Sequence, residues 1–189
     1  MLTATYSLLA IRSEQRNASS SLLRLRQGLD ATRSGNECID ASTLESLFGQ
    51  MQQFDQYLHA RKIEVHVLPA LCCMTDEADL LVDQLQMLSL SAGRSLSALQ
   101  QYLRPCAGSR EHHPFFLAAE QYCDTVLQRL SKEDESLMSL IGDVLTGEDW
   151  FALGARFLAE DGEKFMSRRE LSQLMPLIAD VSDESAATN

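Results

Sequence analysis

Over long stretches of this chain apolar residues return every three or four positions, with no sustained period-two alternation of Val, Ile, Thr and aromatic residues. That spacing lines apolar side chains along one face of an α-helix and gives a strand no continuous buried face. The expected fold class is therefore all-α. A first helix is expected over residues 3–31, with Leu8, Ile11, Ala18, Leu22, Leu25 and Leu29 on one stripe and Ser34-Gly35-Asn36 ending it. A second is expected over 43–74, capped by Ser42 or Thr43, with Leu44, Leu47, Phe48, Met51, Phe54, Leu58, Val65, Leu68 and Leu71 inward. Pro69 predicts a kink in its last turns, because proline removes a backbone donor and crowds the preceding turn.

Thr75 is expected to start a third helix reaching Leu103, with Glu77 and Asp79 at its positive end and Pro105 and Gly108 stopping it. The fourth is expected over 114–145, from Pro114 onward, with Ala119, Cys123, Val126, Leu130, Leu137, Leu140, Ile141 and Val144 on its core stripe. Thr146-Gly147-Glu148-Asp149-Trp150 reads as a further helix start, a capping threonine followed by acids. Two short C-terminal helices, 148–159 and 167–181, and a polar tail, 182–189, complete the reading.

A chain of 189 residues is long enough to bury a core without metal or disulfide staples, and one domain is expected over 1–181, with the core bundle at 3–145. No apolar run approaches the ~20 residues that span a bilayer. Met1 to Ile11 has neither a basic leader nor a small-residue cleavage site, so it reads as a helix start, and a cytoplasmic protein with no membrane partner is expected. Asp plus Glu number 27 against 16 Lys plus Arg, a net charge of −11 that repels a phosphate backbone and argues against nucleic acid. The five cysteines make an odd count, and Cys72-Cys73 are adjacent, a poor geometry for a bridge. Reduced thiols are expected, Cys123 in the core and Cys38 as the candidate oxidisable group.

A few polar residues fall on the buried stripes. Gln15 follows Ile11 by four residues and precedes Leu22 by seven. Glu64 stands one turn before Leu68, with Ala60 one turn earlier. Arg129 and Glu133 are four apart between Val126 and Leu137, and Gln86 shares a face with Val82, Ser89 and Gly93. Glu64 and Gln86 each lie eleven residues from Thr75, so antiparallel packing sets them at similar height.

Three stretches carry a resemblance. They are Ser13-Glu14-Gln15-Arg16-Asn17 with Leu22-Leu23-Arg24-Leu25; His59-Ala60-Arg61-Lys62-Ile63-Glu64 with Leu68-Pro69-Ala70-Leu71; and Lys132-Glu133-Asp134-Glu135-Ser136-Leu137 running into Leu145-Thr146-Gly147-Glu148-Asp149-Trp150. Over roughly residues 8–157 the chain resembles the hemerythrin-like (HHE cation-binding) family. The resemblance implies an antiparallel up-down-up-down four-helix bundle, which in that family holds two irons. The ligands there are a histidine near the middle of the first and third helices, and a histidine with a carboxylate four residues later on the second and fourth. Laid on this chain, those positions fall on Gln15, on Ala60 and Glu64, on Gln86, and on Arg129 and Glu133.

Both carboxylates are kept and every histidine is replaced. His59 is rotated by about 100° from Ala60 on the helix, and His66, His112 and His113 lie elsewhere, His112-His113 in an expected loop. No metal and no cofactor is therefore expected. Arg129, between Glu64 and Glu133 with amides from Gln15 and Gln86, is expected to plug the core instead of iron. That set leaves one negative charge over, so a raised carboxylate pKa or a further basic group is also expected.

No nucleophile or oxyanion donor accompanies the two carboxylates, so the chain is not expected to be an enzyme. The expected function is that of a hemerythrin-like protein that has lost its di-iron site and works as a regulatory or protein-protein interaction module. Its occupant is an unidentified protein or a second copy of the chain, with Trp150, Phe151, Phe157, Phe165 and Met166 as the candidate surface. The alternatives are a cation-binding protein using non-heme iron to sense oxygen, nitric oxide or redox state, and a small-ligand binder in the vestigial metal cavity.

Overall fold

The computed structural model describes residues 2–35, 39–72, 74–103 and 113–163, which are helical but for short connections and include no strand. The first helix, α1, is a single run over Leu2–Gly35, past the expected end at residue 31 and into Ser34-Gly35. α2 spans Ala41–His59, and its cap is Asp40 rather than Ser42 or Thr43. The Asp40 side chain accepts the Thr43 N–H at 3.1 Å, while the hydroxyls of Ser42 and Thr43 both donate to the same carboxylate. A carboxylate only accepts, so two neighbouring hydroxyls and an amide can converge on it. Those bonds, the Thr43 hydroxyl first, hold Asp40 below the usual carboxylate range.

The second helical rod is not one α-helix to residue 74. α2 stops at His59, Ala60 and Arg61 form a turn, a π-helical turn (π1) occupies Ile63–Val67, and α3 spans Leu68–Leu71. Pro69 has no N–H to offer and would crowd the Val65 carbonyl four residues back. The wider π turn, in which the Leu68 N–H bonds to the Ile63 carbonyl, accommodates it. The expected kink is thus a local change of helix type. It turns Val65, expected inward, out to solvent and buries Ile63 and Val67.

α4 spans Asp76–Tyr102; Thr75 caps it, its hydroxyl accepting the Ala78 N–H at 3.1 Å, and Asp76, Glu77 and Asp79 lie in its first turn. α5 covers His113–Lys132, a second π turn (π2) covers Glu133–Leu137, and α6 covers Met138–Val144. α7 runs over 147–163, longer than the expected 148–159. Cys38, Cys73, Pro105, Cys106, Gly108, His112, Phe165, Met166, the expected helix 167–181 and the tail 182–189 lie outside the described residues. Among the described residues no helix is long and apolar enough to cross a membrane.

The described residues divide into two compact units close to the expected end of the core at residue 145: those within 8–146, and those within 1–7 together with 147–163. In the larger unit α1, α2, α4 and α5 contribute to one apolar cluster that includes Ala18, Leu22, Met51, Phe54, Leu99, Phe115, Tyr122 and Val126. α4 and α5 pack most extensively on each other. In the smaller unit the Tyr6 hydroxyl donates to Asp161 at 2.7 Å, and Gly154 lies against Thr3 and Ser7.

Candidate functional site

At Ala60 the helix break separates two backbone groups that an unbroken helix would bond to each other, the Leu58 carbonyl and the Lys62 N–H. Each finds a side chain. The Arg61 Nε–H donates to the Leu58 carbonyl at 3.3 Å, and the Lys62 N–H donates to Glu14 Oε2 at 2.7 Å. The Lys62 ammonium stands 3.6 Å from the other Glu14 oxygen, and the Tyr57 hydroxyl donates to the Glu14 carbonyl at 3.2 Å. α1 and the second rod are tied together at this height by these contacts.

The break also turns Arg61 inward. Its two Nη groups donate to the two oxygens of Glu133 at 2.8 and 2.7 Å, a parallel fork between side chains that are both fully buried. Burying an ion costs several kcal/mol, and only close geometry with every donor and acceptor occupied offsets it. Beside this pair, Arg129 Nη2 donates to Glu64 Oε1, while its Nε stands 3.5 Å from Glu133 Oε1, an ion pair without a hydrogen bond. Arg61 Nη2 is 3.6 Å from the same Glu64 oxygen, which closes a ring of four charges. Burial lowers the Arg129 pKa, Glu133 opposes that and Arg61 adds to it. A guanidinium that starts above 12 stays charged regardless.

Two arginines now face two glutamates, so the ring is neutral, and the further basic group expected from the sequence is Arg61. Both carboxylates stand in π turns, Glu64 within π1 and Glu133 at the head of π2. Such insertions concentrate where a side chain must be re-aimed.

Of the six positions expected to converge, the structure brings together Glu64, Arg129 and Glu133. Gln15 is buried, 7% exposed, but neither atom of its amide has a partner, so it is not part of the ring. Gln86 and Ala60 are exposed, Ala60 at the helix break and Gln86 on α4. The two amides are unnecessary because Arg61 supplies the missing donors. Arg61 and Lys62 had a legible signal: they follow Leu58 by three and four residues, the spacing of a buried face. Basic residues at such spacing ordinarily snorkel outward, which hides them.

Over the ring, between α2–α3 and α4, lies a cleft of about 950 Å³ lined in part by Glu64, Arg129, Gln86, Leu68 and Arg94. Among the described residues no group of three or more His, Cys, Asp or Glu is arranged to hold a metal ion. Cys123 is buried in the apolar cluster, where burial first and the nearby acids Asp124, Asp30 and Glu120 push its thiol up to about 12. Cys72 is an exposed free thiol. On the proposed C-terminal surface, Trp150 and Phe157 are buried rather than displayed, and Phe151 is exposed. Compared with family models, with curated proteins and with solved structures, the chain matches none.

Proposed function

We propose that the chain is a metal-free relative of the hemerythrin-like proteins, an antiparallel four-helix bundle acting as a regulatory or protein-interaction module and not as an enzyme. The observation that carries this reading is the buried ring of Arg61, Glu133, Arg129 and Glu64. It stands where the family pattern sets two carboxylates and two irons, and it balances the carboxylates with guanidinium groups. The residues do not fit iron: a divalent ion would have to displace two permanent cations. Gln15, Ala60, Gln86 and Arg129 offer no imidazole to replace the charge-assisted bonds it would break. A reducing, cytoplasmic setting suits the free thiols of Cys72 and Cys123.

The partner-binding part of this reading rests on α7. Phe151, Ala155 and Leu158 are exposed at the four- and seven-residue spacing of one helix face, and they replace Trp150 and Phe157 as the candidate surface. Freshly purified protein should carry only trace metal by elemental analysis and show no oxo-bridged iron band in its visible spectrum. Near-stoichiometric iron with that band would overturn the proposal. Chemical crosslinking of the parent and of a Phe151→Asp, Leu158→Asp variant in the cell of origin should show one adduct lost in the variant. An unchanged adduct pattern would remove α7 as the docking face.

A further inference from the structure

The cleft over the charge ring runs along a stripe of small residues on α4. Ser89, Gly93 and Ser97, four residues apart, line it, and a Cβ built on Gly93 would meet nothing within 4 Å. The two serine hydroxyls donate back into their own helix, to the Leu85 carbonyl at 3.1 Å and the Gly93 carbonyl at 2.8 Å, so the stripe is chemically quiet. The lining on α4 extends from Val82 to Gln101, a rise of about 28 Å along a helix. The facing rod is joined to α4 by a short turn before Thr75, so its lining residues run the opposite way. One end of the cleft is thus apolar, with Leu68, Pro69 and Val82, and the other polar, with Arg94, Ser97 and Gln101.

Most of the charged groups on its walls are already engaged, and Arg94 is not. Glu64 is held by Arg129 and Arg61, and Asp55 accepts the Tyr122 hydroxyl at 3.3 Å with His59 Nδ1 at 3.6 Å from its second oxygen. On the donor side, Arg94 forms no ion pair among the described residues. The volume lies in the range of sites that enclose small organic molecules.

We infer that this cleft binds a small amphipathic carboxylate, its acid group at Arg94 and its hydrocarbon body along Leu68, Pro69 and Val82. The inference goes beyond the metal-free reading and is tested apart from it, since metal content does not bear on it. The probe is decanoate, titrated calorimetrically into the full chain at physiological salt, with decanamide as the uncharged control of equal length. Saturable one-to-one binding of decanoate is expected, with decanamide weaker by roughly tenfold for the lost charge-assisted bonds. Arg94→Gln should weaken decanoate by a similar factor. Gly93→Leu, which fills the cleft at a position where leucine also favours helix, should abolish binding of both while circular dichroism stays unchanged.

Absence of saturable binding would overturn the inference outright. Equal affinity for acid and amide, unaffected by Arg94→Gln, would overturn the anionic class. Binding that survives Gly93→Leu would overturn the location.

Discussion

At Arg61 both Nη groups are committed to Glu133 and neither side chain reaches solvent, so removing the guanidinium leaves a buried carboxylate with no equivalent partner. Arg61→Ala is expected to destabilise by about 3–5 kcal/mol in urea unfolding. Arg129→Ala, which from the sequence alone would strand two carboxylates, strands only Glu64, whose side chain is 16% exposed and still lies near Arg61. Its expected cost is about 1–3 kcal/mol. Equal losses in the two variants would show that Arg61 does not carry the ring. The double change Arg61→Met, Glu133→Met should recover most of the loss, because two apolar side chains leave no charge unpaired.

A second residue-scale expectation concerns alkaline pH. The Cys123 thiol ionises at about 12 in the fold, above its ordinary value of 9.0, and burial raises the Tyr122 hydroxyl as well, with Asp55 adding to it. The unfolded chain therefore loses protons first. Stability from these groups is complete below about pH 9 and falls above it, at most by about 1.4 kcal/mol per pH unit for each ionising group. Urea midpoints measured from pH 7 to 11 should show that fall, and Cys123→Ala should flatten its onset. Arg129, Glu64 and Glu133 were readable as polar residues at core spacing, and Arg61 was not. Which arginine holds which glutamate was not, because it depends on a helix break that no residue type announces.

Elements were legible where local chemistry decides them. Thr75 followed by Asp76, Glu77 and Asp79 starts α4 as expected, since the cap and the acids act on the same unpaired N–H groups. Thr75→Ala is expected to cost about 1 kcal/mol, read as a lower Tm, while Thr75→Ser should keep most of the stability. The π turns were not legible. Buried apolar residues in the second rod follow the order Leu58, Ile63, Val67 and Leu71: the five-residue step from Leu58 to Ile63 crosses the break at Ala60 and Arg61, and the steps through π1 are the fours of a regular helix. Val65 and Leu68 are also apolar, so a regular period drawn through them fits the sequence equally well and gives the wrong face. π2 is hidden differently. Leu137, Leu140 and Ile141 are buried as a regular helix would have them, and only Glu133 at its head departs from an apolar stripe.

For the molecule as a whole, the compact unit formed by residues 1–7 with 147–163 joins segments about 150 positions apart, and no period within either segment signals that pairing. Trp150 and Phe157, named from the sequence as part of a candidate surface, are buried. Gly154 offers the sharpest test of the unit. A Cβ there would lie 3.2 Å from Ser7 Oγ and 3.4 Å from Thr3 Cβ, and Ser7 is fully buried, which leaves little room to give way. Gly154→Leu should therefore push α7 off the first turns of α1, an overpacking cost of about 1–3 kcal/mol, with Gly154→Ala intermediate. Trp150, the single tryptophan, stands one turn before Gly154 and reports the change directly. Its emission should shift to the red in Gly154→Leu, and limited proteolysis should open 147–163 ahead of residues 8–146. Unchanged emission in that variant would mean that α7 and the start of α1 do not approach closely in solution.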